Sequence, residues 1–237
     1  MKRALIIAPA ALLGASAFGA YSNVDLSSYA DSDLQGYTDG SNYPTAGNTV
    51  SVGNVSFTLS SLQGNSGTTG VIGGLADAAA TVDITIGQYG VTSLYTLINT
   101  AWGYPGTTVG EIVAHGAGGE SYEYDLVEGL NVRDHYDNPR PYCNSLTDLS
   151  VQSAYFPDSN DLSDPHALRL DMQTIELPTV FKTDTLTDVE FINLGKGSDG
   201  SPFLAGLATS TAVPEPVSAI AGLSLAALAL AKRRQRR

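Results

Sequence analysis

Short runs in which apolar residues occupy every second position are the feature of this sequence that most limits its fold. Val82–Ile86 and Val55–Leu59 both alternate apolar with Asp, Ser or Thr residues. Because successive side chains of a β-strand point to opposite faces, such runs predict strands with one buried face. Gly116–Gly119 separates the segments Val109–Ala114 and Ser121–Val127, which predicts a hairpin.

Val91–Ala101 carries large residues on both faces, which predicts a central strand, although its periodicity alone also allows a helix. Two stretches predict little core: the polar Tyr21–Asn48, expected to wrap an edge, and the glycine-rich Gln63–Gly74, expected to be a loop. Eight to ten short strands without a soluble helix predict an all-β fold, a two-sheet β-sandwich of the jelly-roll type. Repeats of 20–50 residues, which propellers and solenoids require, are not visible.

The N-terminus has the layout of a secretory signal peptide. Met1-Lys2-Arg3 is a charged n-region, Ala4–Leu13 is an apolar h-region, and Ala15-Ser16-Ala17 is a small-residue cleavage site. We therefore assign residues 1–17 to a signal peptide and residues 18–212 to one exported domain, which is long enough to bury a core of its own.

The C-terminus consists of three parts. Val213-Pro214-Glu215-Pro216 breaks regular structure, Val217–Ala231 is an uncharged helix-forming run, and Lys232-Arg233-Arg234-Gln235-Arg236-Arg237 is basic. At 1.5 Å per residue the run spans about 22 Å as a helix, short against a hydrocarbon core of about 30 Å. The positive-inside rule predicts that the basic end stays cytoplasmic.

These three parts together resemble the PEP-CTERM sorting signal of bacterial surface proteins. The resemblance covers residues 213–237 and implies a sorting motif at Val213, Pro214, Glu215 and Pro216 with a transmembrane helix over 217–231. It also implies two partners: the inner membrane before processing, and an exosortase-type enzyme that removes the signal. The protein would be membrane-associated during sorting and then reach the cell surface or extracellular matrix. A plain C-terminal membrane anchor is the alternative.

Parts of the exported domain resemble a group of PEP-CTERM proteins of unassigned function. The resemblance rests on five segments, namely Tyr89–Gly103, Tyr124–Leu126, Asn131–Tyr136, Leu168–Gln173 and Phe203–Gly206. It implies a sandwich similar to galactose-binding-like domains, and it brings no catalytic motif with it.

The charge of the exported domain limits its partners. Residues 18–212 contain five Lys/Arg and 23 Asp/Glu, a formal charge of −18. Such a surface repels nucleic acid and attracts divalent cations, although acidic residues also serve ordinary solubility.

The sequence contains none of the common catalytic motifs: no Walker loop, HExxH or GxSxG. His115, His135 and His166 lack ligand spacing, and Cys143 is the sole cysteine, so an internal disulfide is impossible. We therefore predict no catalytic residues, no cofactor and no enzymatic activity.

Two weaker site predictions remain. Trp102 and Tyr104 could stack on a sugar, with Arg133 hydrogen-bonding it; the alternatives are core aromatics and an Arg–Asp pair that anchors a loop. A calcium site could be formed by oxygen ligands from Asp158, Asn160, Asp161 and Asp164, although a solvated Asx-turn loop explains the same residues.

Two functions of different class follow. The first is a non-catalytic surface or matrix protein with extracellular polysaccharide as its candidate ligand. The second is a secreted glycosidase on a jelly-roll scaffold, since two suitably spaced carboxylates are all that this reaction needs.

Overall fold

The computed structural model describes residues 21–38, 43–73, 79–136, 143–155 and 168–211, which belong to one compact unit, Ala20–Ala212. The predicted signal peptide, the sorting signal and the calcium-site residues Asp158, Asn160, Asp161 and Asp164 lie outside the described residues, so these assignments stay predictions. No helix in the described part of the chain has the length and apolar character needed to cross a bilayer.

The described residues form fourteen strands and three short 3-10 segments. The strands are β1 (Tyr21–Val24), β2 (Ser32–Asp33), β3 (Thr49–Val52), β4 (Val55–Thr58), β5 (Ser61–Leu62), β6 (Asn65–Gly73), β7 (Ala80–Tyr89), β8 (Val91–Ala101), β9 (Thr108–Gly116), β10 (Ser121–Val127), β11 (Gln152–Tyr155), β12 (Leu170–Glu176), β13 (Thr185–Asn193) and β14 (Ser201–Thr211). The 3-10 segments are Gln35–Thr38, Thr179–Thr183 and Gly197–Asp199.

The strands are arranged in two main antiparallel sheets. The large sheet runs β11-β12-β8-β14-β6-β2, with β1 pairing with β14 and β5 pairing with β6. The small sheet runs β10-β9-β13-β7, and β3 and β4 form a separate hairpin. The two sheets pack face to face through a common apolar core, so the fold is a β-sandwich and the all-β prediction is confirmed.

The core between the sheets takes one face of each strand. Ile84, Ile112 and Phe191 from the small sheet and Leu94 and Leu204 from the large sheet are each at most 1% exposed. Burying a side chain of this size contributes about 1.5–3 kcal/mol, which allows the domain to fold without a disulfide.

The outer face of the large sheet is also covered, because the β3–β4 hairpin packs on it. Phe57 of β4 is fully buried in a second apolar cluster with Tyr95, Met172 and Phe203. The large sheet is therefore buried on both faces, and this explains why Val91–Ala101 has apolar residues on both sides. The predicted bounds of this strand are confirmed.

Two predictions about local structure were wrong. Gln63–Gly74 contains β6 rather than only a loop, and one of its glycines, Gly70, lets the backbone approach Leu62 closely. Tyr21–Asn48 contributes core residues, since Leu26 and Leu34 are fully buried. Their neighbours in the sequence are polar, so these two residues do not form an apolar pattern that predicts burial.

The small sheet has a long edge strand, β7, which pairs with β13 on one side. The backbone N–H of Thr85 on this strand donates a hydrogen bond of 3.1 Å to the hydroxyl oxygen of Tyr29. A side chain from the N-terminal segment thus covers part of this edge.

Candidate functional site

The predicted sugar-contact residues lie where β8 ends. Trp102 is half-buried and has a φ of 62°, the one positive φ among the described non-glycine residues. Tyr104 follows on the connecting loop and is 43% exposed. The segment after β10 returns to this point, because the N–H of Thr100 donates to the carbonyl of Arg133 at 3.0 Å. The structure therefore places the backbone of Arg133 beside Thr100, two residues before Trp102.

The Arg133 guanidinium binds other groups of the protein. Its Nε and Nη2 donate to the two carboxylate oxygens of Asp171 at 2.7 and 2.8 Å. Nη2 also donates to Ser153 Oγ at 2.9 Å and Nη1 to the carbonyl of Asn144 at 3.2 Å. The Arg133 side chain is 17% exposed. This geometry fits the loop-anchoring interpretation, and a sugar at Arg133 would have to compete with these bonds.

The pair belongs to a larger buried polar network. Asn99 Nδ2 donates to the Asp171 carboxylate at 2.8 Å and Asn99 Oδ1 accepts from the Asp171 N–H at 2.9 Å, so one amide binds both the side chain and the backbone of Asp171. Arg169 is 2% exposed and donates to the carbonyls of Asp134 and Tyr136 at 2.8 and 2.9 Å. These bonds fix the coil segments beside β8 and β12.

His135 lies in the same region as a buried neutral imidazole. Its Nδ1 is 3.0 Å from the hydroxyl of Tyr43, which also donates to the carbonyl of Arg169 at 3.2 Å. Burial lowers the pKa of His135 to about 3, and the Arg169 guanidinium acts in the same direction. The roles of Tyr43 and Arg169 cannot be predicted from sequence spacing, because their partners are distant in the chain.

Glu128 is the most unusual acid of the described residues. It is 1% exposed, and neither carboxylate oxygen makes a hydrogen bond of ordinary geometry. Burial raises the pKa of Glu128 to about 8, and the charge of Asp134 acts in the same direction. Two glycines make room for it, since a Cβ on Gly103 or Gly200 would lie 2.2 or 3.0 Å from Oε1. A substrate cannot reach a carboxyl group enclosed in this way.

An open groove with mixed polar and apolar walls lies elsewhere, lined by residues between Asn23 and Ser66 that include Leu59 and Leu62. It consists of two adjoining cavities of about 380 and 400 Å³, and both are lined by Ser27, Ser61 and Ser66. We call this surface the serine groove. Its hydroxyl-bearing residues are Ser27, Ser28, Thr58, Ser60, Ser61 and Ser66.

The serine groove contains amides and one acid beside its hydroxyls. Asn23, Gln63 and Asn65 contribute to the lining, and Asp25 is the one carboxylate among the lining residues. Asp25 accepts hydrogen bonds from the Ser27 N–H at 2.9 Å and Ser60 Oγ at 3.2 Å, and the Ser27 bonds lower its pKa. The groove therefore offers many neutral donors and acceptors around a single fixed charge.

Among the described residues one group of side chains has the composition and spacing to hold a metal ion, namely His115, Asp188 and Glu190 on the small sheet. None of the three belongs to the serine groove or to the Arg133 network. His115 has no ligand spacing along the sequence, because Asp188 and Glu190 are more than 70 positions away and only strand pairing brings them close to it.

No protein-family model matches the chain, and no curated protein matches it.

Proposed function

We propose that the exported domain is a non-catalytic surface or matrix protein that binds extracellular glycan in the serine groove. The observation that carries this proposal is the groove's lining of hydroxyl and amide groups. Sugars present neutral hydroxyls, which such side chains bind by donating and accepting hydrogen bonds. The resemblance of residues 213–237 to a sorting signal supports delivery to a polysaccharide-rich surface.

We further infer that the sandwich is a jelly roll. Strand order supports this: β12-β8-β14-β6 lie side by side in one sheet and β10-β9-β13-β7 in the other. Apart from the β9–β10 hairpin, consecutive members of these eight strands alternate between the sheets. Two interlocked Greek keys require this alternation.

The glycosidase alternative has less support in the described residues. A glycosidase needs two carboxyl groups that both reach the sugar, about 5–10 Å apart. The serine groove has one, Asp25, whose pKa is lowered rather than raised. The acid with the raised pKa, Glu128, is enclosed beside Gly103 and Gly200.

A glycan array probed with the full chain tests the proposal. Ser66 is exposed on β6, so Ser66→Tyr should fill the groove without disturbing the core and lower glycan binding at least about tenfold. Ser121→Tyr is the matched control, because Ser121 is exposed on β10 outside the groove. Equal binding by both variants would contradict the groove.

Trp102 and Tyr104 provide the second arm of this experiment. If the doubly substituted Trp102→Ala/Tyr104→Ala protein stays folded and loses binding while Ser66→Tyr keeps it, the aromatic pair is the site. Depolymerisation of a polysaccharide by the intact chain, abolished by one Asp or Glu substitution, would establish the enzyme instead.

A further inference from the structure

The outer face of the small sheet brings a histidine and two carboxylates together. In the pairing of β9 with β13, His115 lies opposite Asp188, and Glu190 follows two residues along the same strand. Residues two apart on a strand point to the same face, so Glu190 shares the outer face with Asp188. A β-bulge between Leu186 and Asp188 sets this register.

The three side chains converge within ligand distance of one another. One ligand atom from each lies within 4.8 Å of the other two. Nε2 of His115 is 3.2 Å from Oε1 of Glu190, and the two side chains are 33% and 31% exposed. His115 Nε2 itself exposes less than 1 Å² and has no hydrogen-bond partner, so the Glu190 oxygen lies off the axis on which the ring nitrogen would donate. The nitrogen is thus shielded from water without a hydrogen bond.

The hydroxyl group of Thr187 positions the carboxylate of Asp188. Thr187 Oγ1 lies 2.6 Å from Oδ1 of Asp188 and 3.0 Å from the carbonyl oxygen of His115. Contacts of this kind, between a ligand and a neighbouring polar group, orient ligands at metal sites.

The surrounding charge is negative on every adjacent strand. Glu190 pairs with Asp83 of β7 on one side and with Val113 of β9 on the other. Val113 in turn pairs with Glu123 of β10. None of the four strands contains a lysine or arginine. Acidic residues alone would only attract cations loosely, and it is the shielded imidazole nitrogen that defines a particular position.

We propose that His115 Nε2 and the carboxylates of Asp188 and Glu190 bind a divalent transition-metal ion, with Zn²⁺ as the appropriate probe. Imidazole nitrogen suits zinc and its neighbours in the first row, whereas calcium and magnesium prefer oxygen ligands only. Zinc bonds of about 2.1 Å place tetrahedral ligands about 3.4 Å apart, close to the separation of His115 and Glu190. The remaining position is left for water. This site is independent of the glycan proposal.

Titration of the full chain with ZnCl₂ by calorimetry at about pH 7.5 tests the proposal. We expect one ion per chain, and at least about tenfold weaker binding in His115→Gln and in Glu190→Gln. Glu123→Gln is the matched control, because it removes the same charge from the same face and should weaken binding less than about threefold.

Three outcomes would overturn the site. They are no zinc binding up to about 1 mM, an equal loss in Glu123→Gln and Glu190→Gln, or displacement of zinc by an equal concentration of Ca²⁺. Nitrogen-15 NMR of the unsubstituted protein keeps the test decisive if a variant fails to fold. Zinc must then shift the His115 ring resonances and leave those of the buried His135 unchanged.

Discussion

Glu128 and His135 are two buried ionisable groups that each make the stability of this domain depend on pH. The folded-state pKa of Glu128, about 8, lies above its ordinary value of 4.5, so its stabilising contribution is complete below pH 4.5 and is lost as the pH rises to about 8. The folded-state pKa of His135, about 3, lies below 6.5, so its contribution is complete above pH 6.5 and is lost as the pH falls. Between the two ordinary values the slopes oppose each other.

Glu128→Gln should therefore remove the loss of stability on the alkaline side. The amide keeps the shape of the protonated acid and cannot ionise, so the variant should be more stable than the unsubstituted protein at pH 8, by an amount on the order of 3 kcal/mol. Urea unfolding at pH 5 and pH 8 measures the effect, with the exposed Glu123→Gln as control. A Glu128→Gln profile parallel to that of the unsubstituted protein would show that Glu128 is not buried as described.

Among the strands, some glycines are required by close packing and others are not. Gly67 and Gly70 both lie in β6, but an added Cβ at Gly70 would be 2.6 Å from both Leu62 Cα and Ala30 Cβ, whereas at Gly67 its nearest neighbour would be 3.8 Å away. Gly70 serves the close approach of β5 and the N-terminal segment to β6. Gly67 has room for a side chain.

Gly70→Ala should destabilise the domain by about 1–3 kcal/mol, because the backbone of Leu62 would have to move. Gly67→Ala, the matched control on the same strand, should be neutral or slightly stabilising, since alanine restricts the unfolded chain. Thermal unfolding of both variants measures the difference. Equal midpoints would contradict the packing of β5 against β6.

Elements with local sequence signals could be predicted, whereas contacts between distant residues could not. Val91–Ala101 and the β9–β10 hairpin were predictable, because alternation and turn residues are local signals. β6 was not predicted, because its glycines have low β-propensity. The strand forms because some of these glycines allow close packing against neighbouring segments, which the sequence does not show. The bond between Arg133 and Asp171 joins residues 38 positions apart, and the groove joins Asn23 to Ser66. Spacing along the chain does not reveal such partners.

At the scale of the whole molecule, the sheets differ in what they present to solvent. The large sheet is covered on its outer face by the β3–β4 hairpin, while the small sheet exposes alternating acidic residues. Residues 18–212 carry −18 in total, and residues 232–237 contain five Lys/Arg. The uncharged run Val217–Ala231 lies between these two parts of the sequence.

If the sorting-signal interpretation is right, the basic end is removed during export. Mass spectrometry of protein released from the surface of the native host should then find a C-terminus before Val217, because the short run is a poor permanent span. The control is the same measurement after Pro214 and Pro216 are both replaced by Ala. Intact chains ending at Arg237 in the membrane fraction would favour the plain anchor.

The hydrogen bond between Tyr29 and Thr85 helps to protect the edge of the small sheet from pairing with another molecule. A strand with unpaired backbone groups is the template on which sheets of separate molecules join into fibres. Here an N–H that could start such growth is bonded to a tyrosine hydroxyl, and the neighbouring Asp83 puts a charge beside it. At high local concentration, molecules should therefore repel one another at this edge rather than pair edge to edge.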